Sequence, residues 1–103
     1  MSEEVLLLEV VDTFQLPSLG LVLEPSPTMP AQGFKPRSCA ATLELPDGSL
    51  RFCQIKLTPS HFSLVDGGQQ WKVVVSIESV KKSEIPLGTR VMVASDVAHD
   101  LFG

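Results

Sequence analysis

Four side chains of this sequence could take part in nucleophilic or metal chemistry: Cys39, Cys53, His61 and His99. A zinc site needs three or four converging ligands, usually with two of them two to five residues apart, and these four residues show no such spacing. Cys39 and His61 could form a nucleophile and base pair if the fold brought them together, because an adjacent imidazole promotes formation of the thiolate. The sequence supplies no third group to orient the imidazole, and Ser60 beside His61 is equally uninformative.

Motifs for nucleotide chemistry are absent from the sequence. It contains no phosphate-binding glycine loop of the P-loop or dinucleotide type and no Gly-x-Ser-x-Gly nucleophile elbow. Asp47 and Asp66 lie in turn sequences, where aspartate side chains accept hydrogen bonds from nearby backbone amides. We therefore assign no catalytic, cofactor-binding or metal-ligating residue, expect no cofactor and no enzyme activity, and rank a small thiol or serine hydrolase last among the functions considered.

The charge distribution argues against a general affinity for nucleic acid. The formal net charge of the 103 residues is -4, so the long-range field repels phosphate backbones and anionic lipids. Close basic pairs occur only at Lys35 with Arg37 and at Lys81 with Lys82, and such pairs usually lie on a solvated surface. Trp71, the only tryptophan, is either a buried core residue or a platform for stacking and partner binding, and burial is the commoner outcome.

The charge of the first residues and the lengths of the apolar stretches indicate the cellular compartment. Met-Ser-Glu-Glu is acidic where a secretory signal is basic, and the apolar run from Val5 to Leu8 is too short for one. No stretch reaches the eighteen or so apolar residues of a membrane span. We expect a cytoplasmic protein without membrane association, in which Cys39 and Cys53 stay reduced and act as small buried apolar residues.

Short apolar blocks separated by proline and glycine predict an all-β domain. The blocks never hold a 3.6-residue period over several turns. The predicted strands are Val5–Val11, Gly20–Glu24, Ser38–Leu45, Leu50–Leu57, Trp71–Ile77 and Thr89–Ser95.

The segment Leu45-Pro46-Asp47-Gly48-Ser49-Leu50 predicts a tight hairpin, since proline and Asp-Gly suit a reversal. With Leu45 placed opposite Leu50, Leu43 faces Phe52 and Glu44 faces Arg51. The apolar side then switches from Leu50 and Phe52 to Cys53, Ile55 and Leu57. Either a β-bulge near Phe52 and Cys53 keeps the apolar set inward or the strand is buried on both faces, and in a small barrel we expect the bulge, because it also bends the strand.

Two long loops and a short tail complete the predicted domain. The loop Pro25–Arg37 contains four prolines, and a second loop, Thr58–Gln70, ends in Asp66-Gly67-Gly68. In the tail, 96–103, Asp96 is a candidate cap for one helical turn that places Val97, Leu101 and Phe102 on one side. The tail either packs on the barrel or binds a partner, and packing is the favoured alternative.

Two segments resemble the second, β-barrel domain of translational GTPases such as elongation factor Tu. After an opening strand, Asp12–Leu23 is similar to the phenylalanine, proline-containing turn and glycine that lead into that domain's second strand. Val73–Ala94 is similar to its closing block, in which an apolar strand, a charged turn and a glycine precede the last strand. The resemblance covers about residues 5–95 and implies a small six-stranded, Greek-key-like barrel, with 1–103 as a single domain.

The resemblance does not carry a binding site over to this chain. In those factors the barrel contacts the aminoacylated end of transfer RNA or the ribosome, and no residue set for either task is found here. The sequence therefore favours a non-catalytic module that binds another protein through its loops or an exposed strand edge. RNA or ribosome binding is the alternative, and the net charge disfavours it.

Overall fold

A computed structural model describes residues 3–63, 66–78 and 80–102, and its secondary structure is almost entirely β. The strands are β1 (Glu4–Glu9), β2 (Asp12–Leu16), β3 (Gly20–Glu24), β4 (Arg37–Glu44), β5 (Leu50–Ser63), β6 (Gln69–Ile77) and β7 (Arg90–Ala94). A 3-10 turn at Lys82–Glu84 precedes β7, and the helix α1 (Ser95–Phe102) follows it. The prediction of an all-β fold is confirmed.

All seven strands belong to one antiparallel sheet, in the order β1-β7-β4-β5-β6-β3-β2, which curls into a half-barrel. Six strands were predicted, and the additional one, β2, follows the first predicted strand after a bend at Val10 and Val11. The Val10 N–H donates to Thr89 O, on the β7 side, whereas the Val11 N–H donates to Glu24 O, on the β3 side. Since no ladder joins β1 to β2 within the described residues, the sheet is a half-barrel and not a closed barrel.

The concave face of the sheet carries the core. Alternate side chains of β4, β5, β6 and β7 point to this face, where they pack with side chains of β3. The helix α1 adds Val97 and Leu101 to this core. The fully buried large residues are Leu21, Leu23, Leu43, Ile55, Leu57, Ile85, Val10, Val22, Val73, Val75, Val91 and Val93. The tail of the chain therefore packs on the sheet as the favoured alternative predicted, although Phe102 is exposed.

The β4–β5 hairpin forms where it was predicted, but its register differs by one residue. Gly48 N donates to Leu45 O, Leu45 N donates to Ser49 O, and Gly48 has a φ of +88°. Gly48 is thus the extra residue of a three-residue loop with a bulge, a position that favours glycine. Leu43 consequently lies opposite Arg51, and the residue opposite Phe52 is Thr42.

No bulge occurs in β5, because its pairing with β4 is regular from Leu50 to Leu57. The register shift lies instead in β1, between Leu6 and Leu8. Phe52 needs no bulge because it simply points to the convex side, where it is 76% exposed.

The second predicted loop, Thr58–Gln70, is mostly strand. β5 continues to Ser63 and β6 begins at Gln69, so the two strands form a long hairpin, of which residues 64 and 65 lie outside the described residues. The proline-rich segment before β4 is irregular, as predicted, apart from a bridge between Thr28 and Lys72. No helix in the described part of the chain is long and apolar enough to cross a membrane.

Candidate binding cleft at an open strand edge

The strand β5 changes its neighbour along its length. Its first part, to Leu57, pairs with β4, and its second part, from Lys56, pairs with β6. Only Lys56 and Leu57 have a partner strand on both sides. Within the described part of the chain, no strand pairs with the β6-facing side of residues 50–55. This stretch is an open strand edge inside the sheet.

The hydrogen-bonding groups on this edge follow from the hairpin geometry. In an antiparallel pair, residues that exchange hydrogen bonds alternate along each strand with residues that do not. Because Leu45 donates to Ser49, the next bonded pairs are Leu43 with Arg51 and Ala41 with Cys53. The main-chain N–H and C=O groups of the intervening residues therefore point away from β4, and those residues are Leu50, Phe52 and Gln54.

β3 comes very close to β6 on the side of β6 that faces away from β5. Ile77 pairs with Leu21, and a Cβ on Gly20 would lie 2.6 Å from Ile77 O, so only glycine allows β3 to come this near. The β5–β6 ladder ends with Lys56 opposite Ser76, one residue before Ile77. The β5–β6 ladder therefore stops at Ser76, whereas the β3–β6 ladder on the opposite side of β6 continues to Ile77.

The gap between β5 and the chain that follows β6 forms a cleft of about 350 Å³. Ile55, Ile77 and Val80 form a buried apolar floor, and Cys53 is half-buried beside them. This volume is at the low end of the range of about 300–1,000 Å³ for small-molecule pockets.

Two ion pairs lie at the ends of the cleft. Lys56 Nζ lies 3.1 Å from Glu78 Oε1 at the end near β6, and Arg51 lies 3.4 Å from Glu84 Oε1 at the other end. All four side chains keep more than a third of their surface exposed, so solvent screens both pairs and they contribute little to folding. These pairs border the cleft without closing it.

Glu84 is held mainly by the backbone. Its Oε2 accepts a hydrogen bond from the Lys81 N–H at 2.5 Å, and this bond, assisted by the charge of Arg51, lowers the pKa of the Glu84 carboxyl. The two terminal guanidinium nitrogens of Arg51 contact the remaining oxygen, Oε1, at 3.4 and 3.5 Å. Arg51 is therefore weakly bonded and makes no two-oxygen fork with Glu84.

A row of three apolar side chains and one threonine crosses the convex face of the sheet and ends at the open edge. Leu6, Met92, Thr42 and Phe52 lie side by side on β1, β7, β4 and β5. Leu6 and Phe52 are exposed, and Leu50 is exposed next along β5. A strand added at the edge would continue this row.

Other strand edges in the described residues carry features that discourage pairing. β1 has a bulge and acidic residues, and Gln15 on β2 donates its side-chain amide to Val80 O. In the second part of β5, Pro59 occupies a position whose main-chain groups point away from β6. Because proline has no N–H, the side of this stretch that faces away from β6 lacks one hydrogen-bond donor. The edge at residues 50–55 has neither a bulge nor a proline.

The structure separates Cys39 from His61. Cys39 lies opposite Ile55, and His61 is six residues further along β5, a separation of about 20 Å at the rise of a β-strand. Cys39 and Cys53 lie diagonally on one face, half-buried, and burial raises the pKa of both thiols. That shift is opposite to the one an activated nucleophile needs.

The two histidines lie apart from the thiols. His61 packs its ring on Trp71, with ring centroids 4.9 Å apart, and both side chains are exposed on the β5–β6 hairpin. The burial favoured for Trp71 is therefore wrong. His99 is exposed on α1, and among residues 3–63, 66–78 and 80–102 no three His, Cys, Asp or Glu side chains form a metal-binding group.

The remaining polar residues singled out from the sequence lie in structural contacts. Asp47 and Asp66 accept hydrogen bonds from the backbone amides of Ser49 and Gly68, as predicted for turn aspartates. Arg37 forms a 2.8 Å ion pair with Asp100 of α1. Its charge is thus partly neutralised and is not part of a free basic patch.

Sequence reasoning named an exposed strand edge in general terms but missed Arg51, Glu84 and the apolar floor. The sequence feature that could have indicated the edge is the switch of the apolar side along β5. This switch is typical of a strand that exposes hydrophobic residues on one face. Arg51 and Glu84 are 33 residues apart and carry no local signature.

Comparisons with protein-family models, with curated proteins and with solved structures find no match for this chain. The similarity to translation-factor barrels therefore stays an expectation from the sequence. The function proposed below depends on the geometry of the cleft.

Proposed function

We propose that this protein is a non-catalytic interaction module that binds an extended segment of another protein by adding it as a strand to the open edge of β5. The observation that carries the proposal is the free edge of residues 50–55 beside a cleft with an apolar floor and charged ends. Strand addition uses main-chain hydrogen bonds for affinity and side-chain contacts for specificity. The main-chain groups of Leu50, Phe52 and Gln54 supply the hydrogen bonds, and the cleft floor supplies the side-chain contacts.

The neighbouring strands favour an antiparallel orientation of the bound segment. β4 and β6 both run antiparallel to β5, and the bound segment would continue the line of β6 beyond Ser76. Antiparallel pairing is also slightly more stable per residue than parallel pairing.

A displayed library of random peptides, selected on the immobilised full chain, provides ligands with which to test strand addition. The key variant is Gln54→Pro, which removes an edge N–H without removing a hydrogen bond to β4. The matched control is Gln54→Ala, because the Gln54 side chain is exposed and alanine keeps the N–H. We expect selected peptides to bind Gln54→Pro at least about tenfold more weakly than Gln54→Ala, since a main-chain hydrogen bond is lost and the ring obstructs the edge.

Hydrogen exchange locates the binding site in the same samples. A bound strand should slow exchange of the amides of Leu50, Phe52 and Gln54, which otherwise face the cleft side. Equal affinity of the selected peptides for the two variants, or protection confined to the β5–β6 hairpin tip, would show that strand addition at this edge is wrong.

A further inference from the structure

We infer that the segment bound in this cleft is apolar through its middle and carries a carboxylate at its C-terminal end, which Arg51 binds. The inference depends on the proposed strand addition and specifies the chemistry of the partner. Its three supports are the apolar surfaces on both sides of the edge, the direction of the added strand and the incomplete bonding of Arg51.

Both faces of an added strand would meet apolar surface. Side chains that point to the concave side would contact the floor formed by Ile55, Ile77 and Val80. Side chains on the convex side would lie beside Phe52 and Leu50, which are 76% and 57% exposed. A strand that alternates apolar and polar residues would bury polar groups on one face, so a continuous apolar run rich in β-branched residues fits best.

The ends of the cleft limit the segment to a few residues. Lys56 and Glu78 form an ion pair where the β5–β6 ladder stops, and Arg51 lies five residues away along β5. At the rise of a β-strand this distance corresponds to about 17 Å. In an antiparallel segment the C-terminal end lies beside Arg51.

Arg51 has the bonding capacity to receive a carboxylate. Its two terminal nitrogens share one oxygen of Glu84, at 3.4 and 3.5 Å, while the other oxygen of Glu84 is held by the Lys81 N–H. A guanidinium binds a carboxylate most strongly through two parallel hydrogen bonds to two oxygens. A carboxylate at the end of the bound segment can make this fork, which Glu84 does not.

The test uses three fluorescein-labelled peptides that differ only in the presence or the position of one carboxylate. The first contains Gly-Ser-Val-Ile-Val-Thr-Asp with an amidated C-terminus, the second replaces the aspartate by asparagine, and the third has the aspartate at the N-terminal end of the apolar core. We expect the first peptide to bind the wild-type chain about tenfold more tightly than the other two, because only it places a charge-assisted hydrogen bond at Arg51. The preference should shrink as salt is added.

Variants of the ion pair at this end of the cleft separate a specific anchor from general charge attraction. Arg51→Gln should abolish the preference for the first peptide, and Arg51→Lys should keep only part of it, since lysine cannot form the fork. Glu84→Gln should increase the preference, because it weakens the internal competitor while its amide oxygen still accepts from the Lys81 N–H. Thermal unfolding of each variant checks that the fold is retained.

The outcomes distinguish the anchor from strand addition itself. If the wild-type chain shows no preference, or Arg51→Gln retains it, the carboxylate anchor is wrong, and strand addition stands provided that Gln54→Pro still blocks the peptides. If none of the three peptides binds the wild-type chain while library-selected peptides bind in a Gln54-dependent way, the inferred segment chemistry is wrong and the proposed function holds.

Discussion

Replacing Gly20 by alanine tests whether the close approach of β3 to β6 shapes the sheet. Gly20 has a φ of +90°, and its added Cβ would lie 2.6 Å from Ile77 O, whereas ordinary van der Waals contact begins at 3.4 Å. Gly48 provides the matched control, since its φ is +88° and its added Cβ would meet nothing within 4 Å. The two variants share the backbone strain and differ in the contact.

The expected magnitudes follow from these two contributions. A left-handed φ costs a non-glycine residue about 1–2 kcal/mol, so Gly48→Ala should lower the free energy of unfolding by that amount. Gly20→Ala adds the displacement of a backbone carbonyl, comparable to overpacking at about 1–3 kcal/mol, for a total loss of about 2–5 kcal/mol. For a domain of this size, each kcal/mol lowers the melting temperature by about 4–8 °C.

Urea titrations followed by circular dichroism measure both losses. Equal destabilisation of the two variants would refute the reasoning, because it would mean that the contact with Ile77 O adds nothing to the strain. Unchanged slopes of the free energy against urea concentration confirm that the comparison concerns stability alone.

Three further outcomes follow from the structure. Phe52→Ala should change the free energy of unfolding by less than about 0.5 kcal/mol because Phe52 is exposed, whereas Ile55→Ala should cost about 2–5 kcal/mol. Because the pKa of Glu84 is lowered in the folded state, its ionised carboxylate stabilises the fold above the unfolded-state pKa, and this stabilisation is lost as the pH falls through the lower folded-state pKa. The free energy of unfolding of the wild-type chain should therefore exceed that of Glu84→Gln by less and less below about pH 4.3. Denaturation series at several pH values measure this difference. Because burial raises the pKa of the Cys39 and Cys53 thiols, both should react with a disulfide reagent more slowly at neutral pH than free cysteine does.

Each of these three outcomes has a contrary result that would count against its premise. A large stability loss from Phe52→Ala would restore the register in which that ring is buried. A wild-type advantage over Glu84→Gln that does not change with pH would show that the carboxylate is not held as described. Thiols that react as fast as free cysteine at neutral pH would show that their burial does not raise the pKa.

Local sequence signals were sufficient for the all-β fold and for the existence of the β4–β5 hairpin. Short apolar blocks and the Pro-Asp-Gly turn act over a few residues, so they can be interpreted without the tertiary structure. The same signals did not give the hairpin register, because either a three-residue or a four-residue loop suits this turn. The bonds of Leu45 and Gly48 select the three-residue loop, and the one-residue difference moves Phe52 to the convex side.

The cleft was decided by tertiary contacts. It exists because the β5–β6 ladder stops at Ser76 and because the chain after β6 brings Glu84 back to Arg51, 33 residues away in sequence. The sequence alone determined that most of the chain forms short strands, since strand formation depends on local alternation and turns, but it predicted neither β2 nor the extension of β5 to Ser63. Where a strand loses its neighbour depends on the curvature of the whole sheet, and this decided which edge is left unpaired.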